Sequence, residues 1–78
     1  MPARVSELAR VARKWGIELE KPKKGSHWKF RMAGCRPYTV PAHNAERTEL
    51  DDKYIRGMAR AFNIDPDELM TLLRSGHN

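Results

Sequence analysis

The segment from Ser26 to Met32 limits the possible folds more than any other part of the chain. Trp28, Phe30 and Met32 fall at every second position, and His27, Lys29 and Arg31 fill the positions between. A period of two is that of a β-strand whose faces meet different surroundings. Bulky apolar side chains on one face need a cover. Three basic or titratable side chains on the other need water or a polar partner. A sheet built on this strand is therefore covered on one side only, the geometry of a two-layer α+β domain.

The rest of the sequence supplies such a cover. Residues 4–15 carry Val5, Leu8, Val11, Ala12 and Trp15 at three- and four-residue spacing, which predicts an amphipathic helix. Ser6 is the expected cap and Gly16 the expected C-terminal stop. Residues 17–21 alternate as Ile-Glu-Leu-Glu-Lys and predict a strand. The basic turn Pro22-Lys23-Lys24-Gly25 leads into the central strand, and a second turn leads to a short strand over 38–40 that Pro41 stops. In that strand Tyr38 and Val40 are expected inward and Thr39 outward. Residues 42–50 read as a polar connection. Asp51 or Asp52 opens a helix to about residue 62, with Tyr54, Ile55, Met58, Ala59, Ala61 and Phe62 as its apolar stripe. Asp65-Pro66-Asp67-Glu68 combines a capping aspartate, proline at the first helical position and an acid two residues on, and predicts a last helix over 66–74. Residues 75–78 read as a loose tail, with His77 outside any chemistry. The predicted order is α-β-β-β-α with an extra short C-terminal helix. The whole 78 residues form one domain, with a core over about 4–64 and the added helix over about 65–74.

Composition narrows the partners. The chain has a net charge of +5, distributed unevenly. Residues 1–36 hold ten Lys/Arg against three Asp/Glu, and residues 37–78 hold five against seven. A basic half beside a mildly acidic half suggests a polyanion-binding face and a separate second surface, although a solvated surface can carry the same asymmetry. The single cysteine, Cys35, excludes an intrachain disulfide and a cysteine zinc site, and no metal or cofactor is expected. No apolar run approaches the roughly 20 residues of a membrane span, and no secretory leader is read at the start. The expectation is a cytoplasmic protein.

The chemistry concentrates on Gly25-Ser26-His27-Trp28-Lys29-Phe30-Arg31. Histidine titrates near neutral pH and can take or give a proton. Lys29 and Arg31 beside it can stabilise charge that develops on phosphoryl oxygens. RNA contains its own nucleophile, the 2′-hydroxyl, so such a face suits phosphodiester cleavage. It equally suits phosphate binding without chemistry. Lys23 and Lys24 border His27 and could bind the nucleic-acid backbone, or could simply be a solvated hairpin turn. Gly25 would let the backbone approach a phosphate closely.

The run Gly25-Ser26-His27 at the start of the second strand, followed by Val40-Pro41-Ala42-His43 after the third, resembles the HicA toxins of bacterial toxin–antitoxin modules. The resemblance spans about residues 5–64. It implies a fold similar to the double-stranded-RNA-binding domain, translation-blocking cleavage of mRNA, and neutralisation by a HicB-type antitoxin, with DNA engaged only indirectly through that antitoxin. It places the family's catalytic histidine at His27, with Gly25 and Ser26 as its flanking motif. His43 matches the family's Pro-x-His position. It could be a second acid–base group, a phosphate ligand or a cap of the following turn. Two features depart from the pattern. Trp28 stands where many relatives have a second histidine, and the chain continues past the usual end through 65–74. Two other readings remain open: a non-catalytic double-stranded-RNA-binding module, and a helix-turn-helix DNA-binding protein using residues 51–74, suggested by Phe62-Asn63-Ile64-Asp65-Pro66-Asp67-Glu68-Leu69.

Overall fold

The computed structural model describes residues 2–75. The central hairpins form as the alternation requires. Strands β2 (Glu18–Glu20), β3 (His27–Arg31) and β4 (Tyr38–Pro41) make one antiparallel sheet in the order β2-β3-β4. The register sets Glu20 opposite Lys29, Lys29 opposite Thr39, and His27 opposite Pro41. Trp28, Phe30 and Val40 are buried, whereas His27, Lys29, Arg31 and Thr39 are exposed. The protein is thus an α+β fold with a three-stranded antiparallel sheet and three helices.

Helix α1 (Val5–Ala12) buries Val5, Leu8 and Ala12 and runs on into a 3₁₀ turn, Arg13–Trp15. Ser6 is exposed inside the helix and does not cap it. The N-cap is Arg4, whose backbone N–H donates to the Glu7 carboxylate at 2.9 Å. The shift has a structural cause. Strand β1 (Ala3–Arg4) pairs antiparallel with β5 (Glu49–Leu50), so the chain stays extended to Arg4 and the helix starts at the next residue. Strand β5 lies within the expected polar connection, which also contains a 3₁₀ turn at Ala45–Arg47.

The helix ends obey local rules. At Gly16, φ is 75°, the Ile17 N–H donates to the Ala12 carbonyl, and the Gly16 N–H donates to the Arg13 carbonyl. That pair of bonds is a Schellman motif, which needs a left-handed residue. Helix α2 (Asp52–Ala61) ends the same way. Asn63 has φ 57°, Ile64 N–H donates to Ala59 O, and Asn63 N–H donates to Arg60 O. Asp51 caps α2 by accepting from Tyr54 N–H, and Asp65 accepts from Asp67 N–H at 3.0 Å ahead of α3 (Pro66–Ser75).

The core is a single cluster that takes residues from all three helices and both sheets. Leu69, Met70 and Leu73 of α3 are buried in it beside Leu8, Ile55 and Phe30. The last helix packs against α1 and α2 and, as expected for Leu69, shares the one core. Ala61 is exposed and Tyr54 only half-buried, so the α2 stripe is narrower than its spacing suggests. Ser75 closes α3, and the remainder of the expected tail, including His77, lies outside the described residues. Among the described residues no helix is long and apolar enough to cross a membrane.

Candidate functional site

Strand alternation decides where each candidate side chain stands. Trp28 is 7% exposed and Phe30 fully buried, so the positions between them point away from the helices. His27, Lys29 and Arg31 therefore line the open face of the sheet, with Thr39 and Pro41 beside them on β4 and Glu18 and Glu20 on β2. His27 occupies the end of this face, where β3 begins. Its imidazole has no hydrogen-bond or ion-pair partner among the described residues.

Two features hold this end of the sheet. Gly25 has φ 84°, a region that side chains with a Cβ enter only under strain, and it turns the basic loop into β3. Beyond the last paired residues, the Ala42 N–H donates to the Ser26 carbonyl at 2.6 Å, so the ladder continues one step past His27 and Pro41. Ser26 thus acts through its backbone in anchoring the strand. The same bond fixes the chain immediately before His43, which places His43 at the same end of the sheet as His27, exposed in the following loop. Lys23 and Lys24 are exposed in the turn that adjoins this end.

The cations beside His27 are not equivalent. Arg31 Nε lies 3.0 Å from Glu20 Oε1, a diagonal ion pair across β2 and β3, with both side chains about half exposed. Lys29 sits between them in sequence register, opposite Glu20 and Thr39, and has no ion pair among the described residues. The expectation of two available cations next to His27 is thus met by Lys29, while a carboxylate already occupies Arg31. Strand alternation puts Glu20 on the open face, but the diagonal reach depends on side-chain conformation, which the sequence does not carry.

Chemically, the face offers an imidazole on a rigid strand, an adjacent ammonium group and a basic turn at one end. It can exchange a proton and bind an anion within one short stretch of backbone. No group of three or more His, Cys, Asp or Glu among the described residues is arranged to hold a metal ion. A separate cleft of about 740 Å³ lies between α1 and the edge of β2, where Glu18 also lines it, and His27 does not. No protein-family model, curated protein or solved structure matches the chain.

Proposed function

We propose that the chain is a metal-independent endoribonuclease of the HicA toxin type, with His27 as its general acid or base. The observation that carries this reading is the split across β3: Trp28 is locked inward, and His27 stands outward beside Lys29 with its ring free to meet a substrate. The helical cover over one face of a three-stranded sheet, in α-β-β-β-α order, agrees with a double-stranded-RNA-binding-domain-like fold. In the proposed reaction the ribose 2′-oxygen attacks phosphorus and the bond to the 5′-oxygen breaks. The nucleophile loses a proton and the leaving oxygen gains one. His27 performs one of these transfers, and His43, exposed at the same end of the sheet, assists the other or binds phosphate. Lys29, Lys23 and Lys24 bind the RNA backbone, with Arg31 contributing once released from Glu20. The substrate is mRNA, the partner is a HicB-type antitoxin that covers the toxin, and the compartment is the cytoplasm.

The test is His27→Ala. An exposed strand-end position tolerates the change, so the variant should keep the wild-type circular dichroism spectrum. Positioned acid–base catalysis contributes about 10²–10⁴-fold, so RNA cleavage should fall by that factor and growth arrest on expression should vanish. A folded variant that cuts RNA at the wild-type rate removes His27 from the mechanism.

A second reading has specific support. With Glu20 on Arg31, Lys29 is the adjacent cation without an ion pair among the described residues, which suits a module that binds RNA without cutting it. This reading predicts salt-sensitive binding and intact RNA after long incubation. The DNA-binding reading through 51–74 is weaker. The start of α3, where a recognition helix meets the groove, carries exposed Asp65, Asp67 and Glu68, which would repel phosphates.

A further inference from the structure

The sheet has two outer edges, and they differ in what they can accept. Antiparallel ladders alternate, so successive residues direct their N–H and C=O groups to opposite sides of the strand. On β4, Ala42 N–H bonds toward β3, so Val40 and Tyr38 also face β3. Residues 37, 39 and 41 then face outward. Two of these three are prolines, which have no N–H, so this edge cannot support a further strand.

The β2 edge has no such block. Since Phe30 directs its backbone toward β4, Lys29 and Arg31 direct theirs toward Glu20 and Glu18. Leu19 is left with its N–H and C=O pointing outward, flanked by the Ile17 C=O and the Lys21 N–H. Among the described residues no strand pairs with this edge. Beside it lies the 740 Å³ cleft, walled by Ile17, Leu19 and Trp28 on the sheet side, by Ala9 of α1 and Arg13 of the turn after it, and by Glu46.

We infer that the β2 edge is a docking site for an extended segment of a partner protein, which adds a fourth strand to the sheet. The pattern of that segment follows from the register. The residue opposite Leu19 points into the cleft and is apolar. Its two neighbours lie on the open face beside Glu18 and Glu20 and are basic. A second copy of this chain does not fit: pairing β2 with β2 about Leu19 sets Glu18 against Glu20 twice, and like charges opposed across strands are unfavourable. The inference goes beyond the RNA reading and holds whether or not the open face cuts RNA.

The probe is a short peptide alternating lysine and valine, titrated into the full chain and followed by amide NMR and hydrogen exchange. The expected result is slowed exchange at the Leu19 and Lys21 amides, with shifts confined to β2, Trp28 and α1. Replacing lysine by glutamate in the peptide should weaken binding roughly threefold to tenfold, and methylating its alternate backbone nitrogens should abolish it. Ala9→Phe, which fills the cleft from a half-buried position on α1, should also abolish it while the spectrum of the unbound protein stays native-like. Lack of protection at Leu19, equal binding of the acidic peptide, shifts centred on His27 or α3, or self-association through this edge would each overturn the proposal.

Discussion

The Glu20 carboxylate lies 3.0 Å from Nε of Arg31, on the same open face of the sheet as His27. It competes directly with any phosphate for that guanidinium. Glu20→Gln should therefore raise RNA affinity several-fold and steepen the dependence of log affinity on log salt by about one phosphate contact. The pair is half exposed, so its contribution to stability is about 0–1 kcal/mol and the melting temperature should hardly move. Filter binding across a salt series with wild type, Glu20→Gln and Glu20→Gln/Arg31→Gln checks this. If the slope is the same in all three, Arg31 does not touch the nucleic acid.

Tyr38 of the sheet packs against Gly57 of α2. The Tyr38 hydroxyl donates to the Tyr54 carbonyl at 3.0 Å and lies where a side chain on Gly57 would begin. The ring also meets Phe62 edge-on, with centroids 6.5 Å apart. Gly57→Ala gains helix propensity but forces the tyrosine aside, and overpacking of this kind costs about 1–3 kcal/mol. Tyr38→Phe loses one hydrogen bond, about 1 kcal/mol. The double variant should be less destabilised than the sum, because phenylalanine lacks the clashing oxygen. Urea denaturation of the four proteins measures the coupling, and strict additivity would mean the hydroxyl moves away at no cost.

Burial of Tyr38, reinforced by neighbouring Tyr54, raises the pKa of its hydroxyl above the usual 10.0. The folded state therefore holds the proton to higher pH than the unfolded chain does. This contribution to stability is fully present below pH 10 and is lost as pH rises through the folded-state value. Unfolding free energies measured from neutral pH to the alkaline range should decline above about pH 10, and Tyr38→Phe should decline less steeply. A parallel decline in both proteins would assign the alkaline loss to other groups.

Much of this architecture is legible in the sequence because a few residues act locally. The alternation around Trp28 and Phe30 specifies both the core side of β3 and the open side that holds His27. Asp51, Asp65 and Gly16 mark helix ends through bonds to backbone groups a few residues away. The β1–β5 pairing is not legible. Each strand is two residues long, which is too short for a period, and the partners are far apart in sequence. That hidden pairing also moves the cap of α1 from Ser6 to Arg4. The Glu20–Arg31 pair is half legible: alternation gives the shared face, but only the folded geometry gives the diagonal contact.

The packing of α3 leads to the last prediction. Read along the chain, 65–74 is an added helix beyond the span of the resemblance, with Leu69 expected in the core. In the fold, Leu69 is fully buried, Met70 and Leu73 nearly so, and Lys14 of the turn after α1 meets Glu68 at 2.6 Å. The apolar contacts should dominate, since an exposed ion pair contributes at most about 1 kcal/mol. Leu69→Ala leaves a cavity in the core where α3 packs against α1 and α2, and should cost about 2–5 kcal/mol. A small domain has only about 5–15 kcal/mol in total and often sits at the low end of that range, so the variant should melt far below wild type. Glu68→Ala should lose no more than about 1 kcal/mol. Thermal melts of the two variants separate these contributions. A Leu69→Ala protein as stable as wild type would return α3 to the status of an accessory, with the core closed without it.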